Sequence, residues 1–337
     1  MAIATRDAVI SPSRLPTVSI IMPAYNAALH IDEAIASALG QTCADLELIV
    51  VDDGSTDGTL ARLRRWADRD DRVVVLRQSN LGVSAARNAA LALSRGRFLA
   101  LLDSDDVWDA TFLAAHLALF ARMPQAGVVT SNAWQLGGSR HGEPLWPRRS
   151  GPRVMSFKDL LEDETAVCIM SVFRREVYET IGGFDVTLRN GEDYQFWLRA
   201  AHAGFTFVQS PTPLARYRRR PDGASADTVA MLDGIRVVLS DARERWCVDR
   251  GEEAAIVGRQ LRRFERERLL VEGKRALLSG RFGAASEAFT AASRLGRSAK
   301  LQSVAVLCRW SPRLLRRLYI LRTPADGRPA CSVKVGS

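Results

Sequence analysis

From residue 17 onward, short β-branched runs alternate with segments whose apolar residues recur at helical spacing, and this alternation narrows the fold more than any other feature. "TVSIIMPAYN" ends in Pro and Asn, and "IDEAIASALGQ" follows with Ile31, Ala34, Ile35, Ala38 and Leu39 on one face. "LELIVVDDGS" is a second strand; "TDGTLARLRRWAD" then opens on Thr and Asp as capping residues ahead of Leu60, Leu63 and Trp66. "RVVVLRQ" with "VSAARNAALALS", and "FLALLDSDD" with "TFLAAHLALFAR", complete four strand-helix pairs. Such an order predicts an α/β domain with a mainly parallel, Rossmann-like sheet covered by helices on both faces.

Further along, "AVCIMSVFRREVYETIGGFD" predicts a strand, a helix and a Gly-Gly turn, and "EDYQFWLRAAHAG" a helix with acids in its first turn. "FTFVQSPTPLARYRRR" predicts a closing strand that makes the sheet mixed, and a Gly-, Pro- and Arg-rich loop lies between Gln135 and Arg153. Beyond about residue 223 strand signals stop and the chain turns helical. Residues 269–293 resemble one helix-turn-helix unit of the tetratricopeptide type, with Gly280 in the turn. The expected organisation is a flexible N-terminus (1–16), the α/β domain (17–222), a C-terminal helical region (223–322) and a basic flexible tail (323–337).

The formal charge of +9 has one location: residues 294–337 carry ten Lys or Arg against the single acid Asp326, which equals the whole excess. The remainder is neutral, which excludes a basic nucleic-acid groove and leaves a C-terminus suited to an anionic membrane surface or to simple solvation. "LLRRLYILR", apolar and basic, fits a peripheral membrane helix or a docked one. Cys43, Cys168, Cys247, Cys308 and Cys331 form no CxxC pair and predict reduced thiols. With no signal-peptide pattern and no apolar run of roughly 18 residues, the expectation is a soluble cytoplasmic protein.

In open α/β sheets ligands bind beyond the carboxyl ends of the strands. The residues standing there are Tyr25 and Asn26, Asp52 and Asp53, Gln78 to Gly82, and Asp103 to Asp106. Three acids in "LLDSDDVW" repel one another unless a cation sits among them, and a hard divalent ion that shares its coordination with phosphates removes the conflict. A solvated turn capping the next helix is the plainer alternative. In "VVDDGSTDGT" an Asp at a strand end can accept from a ribose hydroxyl or a base N–H, or simply cap a turn; neither a dinucleotide fingerprint nor a P-loop is present.

Taken in order, "VSIIMPAYNAALHIDEAIASALGQT", "LELIVVDDGSTDGT", "NLGVSAARNAAL", "FLALLDSDDVW" and "IGGFDVTLRNGEDYQFWLRAAHAG" resemble glycosyltransferase family 2, inverting enzymes of the GT-A fold, over residues 17–220. The resemblance implies that Pro23, Ala24 and Tyr25 line a nucleotide pocket, that Asp53 with Asp52 meets a uracil-type base or its ribose, and that Arg87 lies near base or phosphates. It implies Asp105 as ligand of a Mg2+ or Mn2+ ion, Asp103 as ligand and ribose neighbour, and Asp106 as support. Asp193 would be the general base beside Glu192, with Gly182, Gly183 and Phe184 shaping the acceptor side. Many members carry Tyr-Arg-x-His near the end of this domain; here "YRRRPDGAS" puts Arg220 at the His position, where a guanidinium grips a diphosphate but cannot ligate a metal.

The implied activity is transfer of a sugar from a nucleotide-diphosphate donor, a UDP-sugar foremost, to a saccharide or lipid-linked acceptor of cell-envelope polysaccharide or lipopolysaccharide at the inner face of the membrane. Two other readings compete. A nucleotidyltransferase needs a Gly-rich basic loop after the first strand, where this chain has "PAYNAALH"; a non-catalytic scaffold is disfavoured by intact Asp53, Asp103, Asp105 and Asp193.

Overall fold

The computed structural model describes residues 3–4, 15–147, 149–220, 223, 226–248, 251–296 and 298–322. The chain divides into two compact units, Met1–Gly223 and Ala224–Ser337.

The first unit begins with β1 (Ile3–Ala4), followed by β2 (Val18–Ala24), α1 (Ile31–Leu39), β3 (Leu46–Asp52), α2 (Thr59–Ala67), β4 (Val73–Arg77), α3 (Val83–Leu93) and β5 (Phe98–Leu101). Every residue of β2 and β3 is buried, as expected of central strands packed on both faces. Helix α1 buries Ile31, Ala34, Ile35 and Ala38, the face its spacing predicts. Next come β6 (Val107–Trp108), α4 (Phe112–Arg122), β7 (Ala126–Leu136), β8 (Arg153–Met155), α5 (Phe157–Glu162), β9 (Ser171–Arg174), α6 (Arg175–Ile181), α7 (Glu192–His202) and β10 (Thr206–Arg218).

The described strands form one mixed sheet in the order β1-β4-β3-β2-β5-β9-β7-β10-β6, with β8 also on β10. Strands β4, β3, β2 and β5 run parallel. β9 is antiparallel to both β5 and β7, and β10 is parallel to β7. Successive units step outward from β2 to β3 to β4, and the chain then returns across β2 to lay down β5. That reversal opens a crevice at the carboxyl ends of β2 and β5.

Three features differ from the sequence reading. Ile3 and Ala4 pair antiparallel with β4 inside the stretch expected to be a flexible N-terminus. Strand β7 continues through Gln135 and Leu136, so the loop starts later than expected, and it is pinned by a bridge between Trp134 and Pro144. The short α5, closed by a capping box between Ser156 and Asp159, carries too few residues to show a helical period.

The second unit is helical: α8 (Thr228–Trp246), α9 (Gly251–Leu278), α10 (Phe282–Gly296), α11 (Ala299–Trp310) and α12 (Pro312–Arg322). The helix-turn-helix expected at 269–293 lies within α9 and α10, joined at Gly280, whose φ of 78° is the left-handed region glycine favours. Gly273 lets the Phe289 ring lie against the α9 backbone, and Ala276, Leu277, Ala285, Phe289, Ala305 and Cys308 make the core of this unit. The expected basic tail at 323–337 lies outside the described residues. Among the described residues Cys43, Cys168, Cys247 and Cys308 form no disulfide with one another. Among the described residues no helix is long and apolar enough to cross a membrane.

Candidate active site

The acids of "LLDSDDVW" lie in a loop fastened at both ends. Strand β5 holds the segment before them, and β6 pairs Val107 and Trp108 with Arg216 and Ala215 of β10. Trp108 stacks on Phe112 at 4.1 Å and donates its backbone N–H to Ser37, while Gln41 bonds the backbone of Asp109 and Leu113. Arg218 closes the loop from the far side. Its N–H donates to Asp106 Oδ1 at 2.7 Å, its Nε to the Asp105 carbonyl at 2.7 Å, and its Nη2 to Glu33 at 2.7 Å. Asp106 is thereby turned inward, and its other oxygen is buried without a partner. Burial, then Asp105 and Asp103, push its pKa well above the carboxylate range.

Asp103 and Asp105 point the other way, with side chains 27% and 24% exposed. Asp105 lies 3.5 Å from the Arg220 guanidinium, and burial together with Asp103 raises its pKa. Asp103 accepts from Arg87 Nη2 at 2.8 Å, and Arg87 Nη1 reaches Glu192 at the same distance. Arg87 is 3% exposed, with its guanidinium 5.3 Å from the centre of the Phe184 ring. Burial opposes its charge, but Asp103 and Glu192 outweigh that and raise its pKa. The same α3 turn carries Asn88, whose carboxamide accepts from the Phe184 N–H at 2.7 Å and donates to the Phe184 carbonyl at 2.8 Å. Gly183 is required there because a Cβ would run into that carboxamide, and Gly182, with a φ of 76°, makes the turn leading into it.

Glu192 and Asp193 occupy the first turn of α7, where the helix dipole favours carboxylates. The helix sits in a bed of aromatic rings: Phe196 stacks on Phe184 at 4.3 Å, and Trp197 meets Phe173 and Phe207 edge-on at 5.7 and 6.0 Å. Burial and Glu192 push the Asp193 carboxyl up to about 6, with Arg87 and the Tyr194 N–H acting against them. A carboxyl poised there is ionised at neutral pH yet basic enough to accept a proton.

On the β2 and β3 side, Asp53 is buried and accepts from Gln78 Nε2 and from the Leu81 and Gly82 N–H groups at 2.8–2.9 Å. Asp52 accepts from the Ser55 N–H, with Arg77 at 3.4 Å. Asn26, at a φ of 47°, links the loop after β2 to Ser55 and Thr56, and Asp57 and Thr59 bond the N–H groups of Ala28 and Ala27. Tyr25 projects from this rim, 48% exposed, directly after the buried Ala24.

The family model described as Glycosyl transferase family 2 matches residues 19–182. The putative teichuronic acid biosynthesis glycosyltransferase TuaG of Bacillus subtilis is 33% identical over 204 residues, 60% of this chain and 79% of its own. The chain belongs to glycosyltransferase family 2. The Escherichia coli transferase WfgD, named as a UDP-Glc:alpha-D-GlcNAc-diphosphoundecaprenol beta-1,3-glucosyltransferase, is 31% identical, with 54% of this chain and 68% of WfgD covered. Several curated relatives are far longer, and the chain spans 19–27% of their length. Staphylococcus aureus TarS, solved as residues 1–349 with UDP-GlcNAc, superposes with a TM-score of 0.61 at 19% identity, over 90% of this chain and 92% of that one. The enzyme is thus a glycosyltransferase of GT-A fold, and the nucleotidyltransferase reading falls away.

Within the transferase, Asp103, Arg87, Glu192, Asp193, Phe184 and Gly183 converge across the sheet switch point, and Asp105 faces Arg220 beside them. Arg87 stands between Asp103 and Glu192, giving one N–H of each terminal nitrogen to a carboxylate and keeping its remaining donors uncommitted to them. Asp53 holds the 78–82 loop through both of its oxygens. Asn88 and Arg218 went unassigned in the sequence; "SAARN" and "RYRRR" offered the residue types but no hint of their distant partners. Among the described residues no cluster of three or more His, Cys, Asp or Glu could enclose an ion. Two part-exposed carboxylates, with the pKa of Asp105 raised by burial and then by Asp103, do fit a hard divalent ion that completes its shell with phosphate oxygens.

Proposed function

We propose that this transferase moves a sugar, with inversion, from a UDP-sugar to a hydroxyl of a saccharide or lipid-linked acceptor in cell-envelope polysaccharide or lipopolysaccharide synthesis. Asp193 accepts the proton of the attacking hydroxyl, the anomeric carbon gains the new C–O bond, and its bond to the diphosphate breaks with the electron pair leaving on phosphate. Glu192 tunes and orients Asp193, and Gly182, Gly183 and Phe184 shape the acceptor side. Asp105 and Asp103 would hold a Mg2+ or Mn2+ ion, which supplies positive charge to the departing diphosphate. Arg220 binds the diphosphate oxygens directly, and Tyr25, with Pro23 and Ala24 behind it, borders the base. Asp52 and Asp53 shape the base pocket through the loops they fix. Arg87 positions Asp103 against Glu192.

The observation that carries the reading is the pair of carboxylate sites joined by one buried arginine, the first facing Arg220 and the second tuned to about 6. The names of TuaG and WfgD support an envelope acceptor and, for WfgD, a lipid-linked one, which suits work at the cytoplasmic face of the cell membrane. The test is thermal unfolding with UDP, GDP, CDP and dTDP, each with and without Mn2+ or Mg2+. Because a ligand specific to the folded state raises the midpoint by mass action, UDP with metal should give the largest shift. A flat response to all four nucleotides would overturn the donor assignment.

A further inference from the structure

We infer that the outer face of α11 and α12 docks on an anionic lipid surface. Leu315 and Tyr319 turn inward against the core of the helical unit and account for the packing of α12. A second apolar stripe has no such use: Leu314, Leu318 and Leu321, at spacings of four and three, are 57%, 49% and 74% exposed, and Trp310 at the end of α11 is 79% exposed. One face of a short helix buried and another equally apolar face left in water is unfavourable unless a second medium covers it.

The charge pattern says which medium. From Ala299 to Arg322 the sequence carries Lys300, Arg309, Arg313, Arg316, Arg317 and Arg322 and no acid at all. Arg313, Arg316 and Arg317 lie beside Ile320 and Leu321 along α12 at spacings of three and four, so guanidinium groups and apolar side chains share one helix surface. Phosphate headgroups above acyl chains present the matching order of chemistry, with bidentate oxygens for arginine and hydrocarbon for leucine. Trp310 adds the amphipathic ring that favours the headgroup level. A second copy of this chain would bring the same uncompensated arginines face to face, which disfavours it as the occupant. The contact thus belongs to a structured two-helix surface, whatever the basic residues beyond it contribute.

The test is co-sedimentation of the full chain with vesicles of phosphatidylcholine alone or mixed with phosphatidylglycerol, at low and high salt. The expected result is binding to the anionic vesicles that weakens as salt rises, and little binding to neutral ones. At about fivefold per arginine, Arg313→Glu with Arg316→Glu and Arg317→Glu should weaken it by about a hundredfold or more. Leu314→Ser with Leu318→Ser and Leu321→Ser should weaken it without removing charge; Trp310→Ser serves as the milder variant should that triple change unfold. These side chains are exposed, so the melting midpoint should stay put. Equal binding to neutral vesicles, unchanged binding of the arginine variant, or no vesicle binding would each overturn the inference. So would self-association abolished by the serine changes, which would name a second copy as the occupant. Vesicle binding is read without any donor, so its failure leaves the sugar-transfer reading untouched.

Discussion

The two carboxylate pairs of the site, Asp103 with Asp105 and Glu192 with Asp193, share a chemistry and differ in their surroundings. The first pair stands on a loop, about a quarter exposed, with arginines on either side. The second begins a helix bedded in Phe184, Phe173 and Phe207, and its Asp193 is pushed up to about 6. Environment pushes two like groups toward unlike tasks: an open pair among cations suits holding charge, and a part-buried pair against aromatic rings suits moving a proton. Arg87, in contact with both, keeps the two at a fixed separation.

The largest break in that contrast should come from Asp193→Asn. Turnover should fall by roughly 10²–10⁴-fold while nucleotide-dependent stabilisation persists, read by donor consumption and by thermal unfolding of the same protein. Arg87→Met should follow, costing about 3–5 kcal/mol of stability because it leaves two part-buried carboxylates facing each other. Chemical denaturation measures this, and Arg87→Lys should recover only part, since an ammonium cannot span both acids. The pH profile sharpens the comparison. Asp193 must be ionised to accept a proton, so kcat/KM should fall about tenfold per unit below pH 6 and level off above it. The Asp193→Asn variant should lose that limb of the profile.

The smallest effect lies away from both pairs. His116 in α4 is buried with Nδ1 on the Phe112 carbonyl, and burial lowers its pKa to about 4. Between that value and its ordinary 6.5 the unfolded chain binds a proton that the folded one refuses, so stability falls as pH drops through this window. His116→Gln should flatten that slope in denaturation curves taken from pH 7 to 4.

What could be read from the sequence follows the reach of each interaction. The parallel strands and the acids at their ends were legible because burial on both faces gives unbroken apolar runs, and the polar residue that breaks the run marks the crevice. Strand β7 was not, because its polar residues find partners only across the fold: Thr130 accepts from the Cys168 N–H, and Asn132 bonds both backbone groups of Trp146. The same holds within the site. Asp193 could be named from its neighbours, whereas the link from Arg87 to Glu192 spans 105 residues and leaves no local pattern. The clamp that Asp53 places on the Leu81 and Gly82 N–H groups, 28 and 29 residues away, likewise left no local pattern.

The division of labour between the two pairs is tested most directly by UDP-dependent thermal stabilisation, with and without Mn2+, in wild type, Asp105→Asn and Asp193→Asn. A metal-dependent shift abolished in Asp105→Asn and retained in Asp193→Asn is the predicted result. A shift that survives in Asp105→Asn, or that disappears in Asp193→Asn, would contradict it.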